Sequence, residues 1–203
     1  YFDRSILSLV LPQIKAEMHL SDTALGLVSG FAFVLFYSLL GVPIARLADR
    51  TSRRNVLGAG LVFWSLMTSL TGFVVNVWQL AATRFLMGAG EACGVAPSNA
   101  MFAAMFSKAQ RALALAILSA GSAIAFVVFF PIAGWIVDHH GWRTTFIAAG
   151  VPGVVLALLL FATVREPARA LPAGPGGQAE GFLETTRFLL QSQTFTRTVI
   201  GGA

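Results

Sequence analysis

Charged residues are scarce in this sequence. Asp, Glu, Lys and Arg make up 11% of the 203 residues, whereas 56% are hydrophobic. A water-soluble domain carries roughly 25% charged residues, because water has to solvate its surface. Most of the surface of this chain must therefore face lipid. The composition excludes intrinsic disorder and most soluble enzymes.

Groups for metal binding or catalysis are also few. The single cysteine, Cys93, excludes an internal disulfide and a metal site made of cysteine alone. The three histidines, His19, His139 and His140, fall in predicted loops. A membrane-embedded enzyme would need a nucleophile, a base or a metal cluster at one depth. We therefore expect no catalysis, no metal and no other cofactor.

The net charge of +5 does not indicate a nucleic-acid partner. The fourteen Lys and Arg residues lie mostly in short gaps between apolar runs, where basic residues set the orientation of a membrane protein. The expected partner of the surface is the lipid bilayer.

Six segments are predicted to cross the membrane, because a helix needs about 20 residues to span the hydrocarbon core. Four are uncharged runs, and two carry charges within them. They are residues 1–14, 23–45, 55–83, 77–106, 112–137 and 144–164.

Basic residues predict the orientation. If the first helix runs outward, Lys15 and Arg143 are outside, and the cytoplasmic side holds Arg46, Arg50, Arg53, Arg54, Lys108, Arg111, Arg165 and Arg169. Basic residues in short loops resist translocation. The prediction is a multi-pass protein of a bacterial inner membrane with a cytoplasmic amino terminus.

The composition changes after the sixth segment. Residues 1–164 form the predicted six-helix bundle. Residues 165–193 are rich in Pro and Gly at first and then amphipathic, which predicts a cytoplasmic linker with a short surface helix. Residues 194–203 would begin a seventh span. No cleavable signal is recognisable and both ends look cut, so we expect a longer protein with a second, carboxy-terminal six-helix half.

An internal repeat refines the fold. Its two copies have the same order of residues, with Pro-Ile-Ala at 43–45 followed by Asp49 and Arg54, and at 131–133 followed by Asp138 and Arg143. An odd number of crossings separates the copies, so they point in opposite directions across the membrane. The fold class is therefore an all-α membrane protein, a six-helix bundle of two inverted three-helix repeats. Such repeats are typical of secondary transporters.

Four charged residues lie inside predicted spans, where ionised groups are costly. Asp3 and Glu91 are predicted at similar depth, about 18 and 22 Å from the outer ends of their helices. Arg84 shares a helix face with Glu91 but is too far along the axis to bond it, and adjacent Asp3 and Arg4 point in different directions. These residues could form an ion-pair lattice that only orients helices. The alternative is a hydrated cavity in which Asp3 and Glu91 exchange protons, tuned by Arg4 and Arg84.

The loop between the second and third helices, residues 45–54, reads Ala-Arg-Leu-Ala-Asp-Arg-Thr-Ser-Arg-Arg. It resembles a signature of the major facilitator superfamily, with Ala45 and Ser52 in place of glycines of that signature. From its position, Asp49 could cap a neighbouring helix, while the arginines would hold the loop on the anionic inner leaflet. A topology anchor is the alternative. The conformational-switch loop predicted here consists of Asp49, Arg50, Arg53 and Arg54.

Other segments extend the resemblance over roughly residues 1–170. They are Arg84 with Gly88 and Gly90, residues 141–143 with Phe146, and residues 165–167. Asp3-Arg4 together with residues 84–92 is similar to the spinster-like branch, which is linked to proton-coupled export of lysolipids and sphingoid phosphates. The resemblance implies that Asp3 and Glu91 are protonation sites and that Arg84 contacts substrate or sets their pKa. Gly88, Gly90 and Gly94 are expected to permit close helix packing.

The predicted function is secondary active transport by alternating access, coupled to protons, of a small organic or amphiphilic substrate such as a lysolipid or sphingoid phosphate. A transporter from another branch, for uptake or export of drugs or metabolites, is one alternative. A passive channel or structural membrane subunit is another, although neither would need two titratable carboxylates.

Overall fold

The structure, a computed structural model, describes residues 2–166, with side chains from residue 5 onward. This part of the chain contains helices and no strand. The helices are α1 (Phe2–Met18), α2 (Asp22–Arg50), α3 (Arg53–Thr71), α4 (Val77–Met105) and α5 (Lys108–Thr163). Within α2, Leu27–Phe31 is a wider π-helical turn. Most of the predicted linker and the start of the seventh helix lie outside the described residues.

Polar side chains define where the helices begin. The Ser52 hydroxyl accepts a hydrogen bond from the Asn55 backbone N–H, and the Asn76 side chain accepts one from the Gln79 N–H. Such residues satisfy backbone donors that the first helical turn leaves unpaired. The predicted start of the fourth span at residue 77 is confirmed, with Asn76 as the cap.

The fifth and sixth predicted spans are joined in α5, so the described residues form five helices instead of the predicted six. The helix is interrupted at Gly141, where φ is 78° and ψ is 167°. Glycine adopts this conformation readily because it has no Cβ. The sequence suggested a loop between residues 137 and 144, whereas one residue makes the break. We call residues 108–140 the first arm of α5 and residues 142–163 its second arm.

The second arm packs antiparallel to α3. A Cβ built on Gly58 would lie 2.3 Å from the ring of Phe161, and one built on Gly72 would lie 2.6 Å from Cγ1 of Ile147. The Ser69 hydroxyl also donates to the Ile147 carbonyl at 3.2 Å. Glycine therefore brings the two helices into close contact.

The core lies between α1, the start of α4 and the middle of α5. Ile6, Val10 and Ile14 of α1 are fully buried in a cluster that includes Leu80 and Phe146. Of the described helices, α2 and α5 are long and apolar enough to cross a membrane by length and composition.

Candidate functional site

Arg84 is buried inside the bundle, with only 2% of its surface exposed. Its guanidinium carbon lies 5.0 Å from the centroid of the Phe146 ring. One guanidinium nitrogen, NH1, donates to the sulfur of Met87 at 3.2 Å. The Thr68 hydroxyl lies 4.0 Å from the same sulfur. Residues of α3, α4 and the second arm of α5 therefore surround the predicted tuning arginine.

Glu91 lies seven residues further along α4 and is partly buried. This spacing is about 10 Å along the helix axis, so the two side chains occupy one face at different depths. Asp3 and Arg4 belong to the first turn of α1, and their side chains lie outside the described part of the chain.

A cavity of about 380 Å³ lies between α1, α3 and both arms of α5. Its walls are largely apolar and include Ile6, Trp64, Phe129, Ile132 and Leu156, with Thr145 as a polar contributor. Neither Arg84 nor Glu91 lines it, so it is not the hydrated pocket expected around these residues. Burial of Arg84 against Phe146 also differs from the expectation that its side chain faces water.

A second charged cluster lies at the predicted outer end. The Glu17 carboxylate accepts hydrogen bonds from the Trp142 indole N–H and from Arg143, both at 2.7 Å. Arg143 also donates to the Val74 carbonyl at 3.2 Å. The Trp142 indole and the Arg143 guanidinium hold the pKa of Glu17, which lies beyond the predicted first span, below its ordinary value. Arg143 thus joins the end of α1 to the segment that precedes α4.

The predicted switch loop makes a different set of contacts from those expected. Glu166, which follows α5, accepts hydrogen bonds from the Ser52 hydroxyl at 2.7 Å and from the backbone N–H groups of Arg53 and Arg54 at 3.0 and 2.8 Å. A carboxylate here stabilises the positive end of the helix dipole. Asp49 instead pairs with Arg53 at 3.3 Å. At the start of α3, Ser52 is the N-terminal cap and Glu166 accepts from the first backbone N–H groups, so Asp49 does not cap this helix.

The remaining arginines of the loop differ in their surroundings. Arg54 donates through NH2 to the Phe161 carbonyl and lies 5.6 Å from the centre of that ring. Arg50 is exposed at the last residue of α2. The loop is therefore attached to the end of α5 mainly through Arg54 and the Glu166 contacts. Glu166 belongs to a motif found in the sequence, but the sequence did not indicate its role.

Two of the three predicted packing glycines are in close contact with other helices. A Cβ on Gly88 would lie 2.7 Å from the Phe33 carbonyl oxygen of α2, and one on Gly90 would lie 2.9 Å from Trp64 Cβ of α3. A Cβ on Gly94 would make only ordinary contacts, at 3.6 Å or more. Close packing therefore involves Gly88 and Gly90, and not Gly94.

Comparison with known proteins gives consistent matches. The family model of the Major Facilitator Superfamily matches residues 1–203. The chain is 35% identical to an MFS-type efflux pump of Mycolicibacterium smegmatis, over 100% of this chain and 47% of that protein. It is 30% identical to a probable galactarate/D-glucarate transporter of Bacillus subtilis, over 82% of this chain and 38% of that protein.

A solved structure is similar along nearly the whole chain. It is the crystal structure of a bacterial homolog to the human lysosomal transporter spinster, in an inward-facing and unoccupied conformation. The TM-score is 0.75 at 29% identity, covering 98% of this chain and 48% of that one. The chain thus spans about half the length, or less, of these proteins. These proteins are an efflux pump, a probable transporter and a homolog of a transporter. The prediction that the chain belongs to a transport protein and not to an enzyme is therefore confirmed.

Proposed function

Because this chain belongs to the Major Facilitator Superfamily, we propose that it forms the amino-terminal six-helix half of a proton-coupled secondary active transporter. The complete transporter would work by alternating access, with a second six-helix half across a central site. Its amino terminus would be cytoplasmic.

The length of α5 supports six crossings. A straight helix of its 56 residues would be about 84 Å long, whereas the hydrocarbon core is about 30 Å thick. Residues 125–136 of the first arm and 145–156 of the second arm contribute to the walls of one cavity, which indicates that the arms lie side by side. Each arm would therefore be one crossing, with Gly141 at the reversal.

Contacts between α3 and the second arm support the inverted repeat. When Asp49 is aligned with Asp138, and Arg54 with Arg143, Gly58 corresponds to Ile147 and Gly72 to Phe161. The two close contacts described above, Gly58 with Phe161 and Gly72 with Ile147, are then equivalent. A pair of equivalent contacts is what two inverted repeats would produce at a shared interface.

The arginines of the two repeats make equivalent contacts as well. Arg54, near the start of α3, donates to the Phe161 carbonyl near the end of the second arm. Arg143, near the start of the second arm, donates to the Val74 carbonyl just after α3. Each arginine thus contacts the carboxy-terminal end of the partner helix, where a cation is favourable.

The observation that carries the proposed proton coupling is the bridge at the outer end. Arg143 contacts both Glu17 of α1 and Val74, two residues before the Asn76 cap of α4. The bridge supports a common level for these two helix ends. From there, Asp3 lies about 21 Å along α1 and Glu91 about 22 Å along α4. Two carboxylates at one depth could exchange protons with water and bias the two states of the transporter.

The proposed substrate is a small amphiphile, such as a lysolipid or a sphingoid phosphate. Similarity to the bacterial homolog of spinster supports this choice, as does an arginine within the span that could attract an anionic headgroup. The second candidate is a sugar-acid dianion, favoured by the similarity to a probable galactarate/D-glucarate transporter.

The test uses the complete polypeptide that contains these 203 residues, reconstituted in liposomes with the pH-sensitive dye pyranine inside. Lysophosphatidylethanolamine and D-glucarate are supplied separately under a pH gradient. We expect lysophosphatidylethanolamine to drive a proton flux that Asp3→Asn and Glu91→Gln each reduce at least tenfold, since one protonation site is lost. The exposed Asp138→Asn is the matched control and should keep the flux.

Three results would count against the proposal. Flux that survives replacement of both Asp3 and Glu91 would exclude them as coupling sites. Flux with D-glucarate alone would replace the lipid-like substrate by the sugar acid. Substrate movement without proton flux would reject proton coupling while leaving transport intact.

A further inference from the structure

A row of aromatic side chains connects the buried arginine to the outer surface. The ring of Phe146 faces the guanidinium of Arg84 at 5.0 Å. The ring of Trp142, one turn earlier in the second arm, meets Phe146 edge-on with centroids 6.2 Å apart. Trp142 in turn donates to Glu17 at 2.7 Å and lies 4.2 Å from the Arg143 guanidinium carbon. Contact is therefore continuous from an exposed carboxylate to a side chain inside the bundle.

We propose that Phe146 is a positioning residue for Arg84, and that Trp142 and Glu17 fix the orientation of Phe146 from the outer end. This inference rests on the proposed function, because it assigns a purpose to Arg84 within transport. The ring would hold the guanidinium at the height from which it acts on the substrate or on the coupling carboxylates.

The chemistry of both groups favours this role. The face of an aromatic ring is negative and attracts a cation, most strongly where water is excluded. Here Phe146 is 0% exposed and Arg84 is 2% exposed, so little water competes. Arginine has a long flexible side chain, and contact with the ring would restrict its rotamers. An aliphatic residue of similar size at position 146 would fill the space without attracting the charge.

The second arm gives the ring a rigid support. Phe146 is next to Ile147, which packs against Gly72, just after α3. Thr145, on the other side, is buried, and its hydroxyl donates to the Gly141 carbonyl at 3.1 Å. The edge-on contact with Trp142 restrains the ring from the outer side. Movement of Glu17 or Trp142 would therefore displace the surface on which Arg84 lies.

The test changes the charge distribution of the ring without changing its shape. Phe146 is replaced, by nonsense suppression in the complete polypeptide, with phenylalanines carrying one, two and three ring fluorines. The same series at Phe73, which is 65% exposed, is the control. The measurements are the melting temperature in detergent and the KM and kcat of lysophosphatidylethanolamine transport in liposomes, or of D-glucarate transport if that is the compound carried.

We expect a stepwise effect at position 146. Each fluorine should lower the melting temperature, and the KM should rise up to about tenfold across the series, with kcat changing less, because the attraction between ring and cation weakens. The melting temperature should change little with fluorination at Phe73, and it should fall less steeply with fluorination at Phe146 when Arg84 is replaced by Met. Trp142→Leu and Glu17→Gln should also raise the KM, by a smaller factor than the fluorinated series at Phe146.

Three results would overturn the inference. A flat temperature series at Phe146, or an equal slope in the Arg84→Met background, would mean that the ring does not hold the cation. A melting temperature that falls with each added fluorine while the KM stays unchanged would mean that the contact stabilises the fold without positioning Arg84 for transport. If neither compound is transported, the proposed function fails and the positioning role fails with it. The melting temperatures of the fluorinated variants would still show whether the ring of Phe146 attracts Arg84.

Discussion

Gly88 of α4 lies directly against the backbone of Phe33 in α2, where a Cβ would come within 2.7 Å of the carbonyl oxygen. Because that neighbour is backbone, it cannot rotate away as a side chain could. The approach of the two helices therefore depends on the absence of a side chain at position 88.

The first prediction compares two glycines of one helix. Gly88→Ala should lower the free energy of unfolding by about 1–3 kcal/mol, since the added methyl group overpacks the contact. Gly94→Ala is the control, because its Cβ would meet nothing closer than 3.6 Å. Unfolding in a detergent titration measures both variants. Equal loss of stability in the two would contradict the packing described here.

The second prediction concerns acid. Because the pKa of Glu17 is lowered in the folded protein by Trp142 and Arg143, its contribution to stability is present above the ordinary value of about 4.5. It is lost as the pH falls through the folded pKa. Melting temperatures between pH 7 and pH 3 should therefore fall less steeply in Glu17→Gln than in the parent protein.

A matched change at the same end of the bundle tests that assignment. Asp22→Asn removes an exposed charge that pairs with Lys15, and a surface pair of this kind contributes little. We expect its pH profile to follow the parent. If Glu17→Gln gave a parallel profile too, the carboxylate would not contribute through its bonds to Trp142 and Arg143.

The third prediction concerns the cap of α3. Glu166→Gln replaces a carboxylate oxygen by an amide N–H that would face the backbone donors of Arg53 and Arg54. Loss of a charged cap should cost about 1–2 kcal/mol of unfolding free energy. The exposed Asp138→Asn should cost less than 0.5 kcal/mol, roughly the range of ordinary surface changes. If the free energy of unfolding were unchanged in Glu166→Gln, the contacts of Glu166 at the start of α3 would not contribute to stability.

Local patterns in the sequence were sufficient for some features and not for others. The start of α4 at Val77, after the Asn76 cap, follows from a polar residue just before an apolar run, which is a local signal. Asp49 was predicted from its position in the sequence to cap a neighbouring helix, which is also a local signal. At the start of α3, Ser52 is the N-terminal cap, and Glu166, more than a hundred residues away in the sequence, accepts hydrogen bonds from Ser52, Arg53 and Arg54 because tertiary packing brings it there.

Arg84 illustrates the same limit for the candidate site. Its place in an apolar helix indicated a costly charge with an unusual neighbour. Nothing in the local spacing identified that neighbour as Phe146, because the contact depends on how the second arm of α5 packs against α3 and α4 after the break at Gly141. The sequence therefore predicted which residue is unusual but not what surrounds it.

The break in α5 at Gly141 provides the last prediction. Its φ of 78° and ψ of 167° belong to a region that is essentially confined to glycine, and a side chain there costs about 1–3 kcal/mol. A Cβ at this position would meet nothing within 4 Å, so the whole effect of Gly141→Ala should be backbone strain. The variant should unfold at lower denaturant concentration by that amount.

Gly134→Ala is the control for this effect. It also has nothing within 4 Å of a Cβ, but it lies in regular helix, where alanine is favoured over glycine by about 0.5–1 kcal/mol. In the same unfolding assay, Gly141→Ala should therefore lower the free energy of unfolding and Gly134→Ala should raise it. If both were stabilising, the backbone at position 141 would be helical, and α5 would not reverse there.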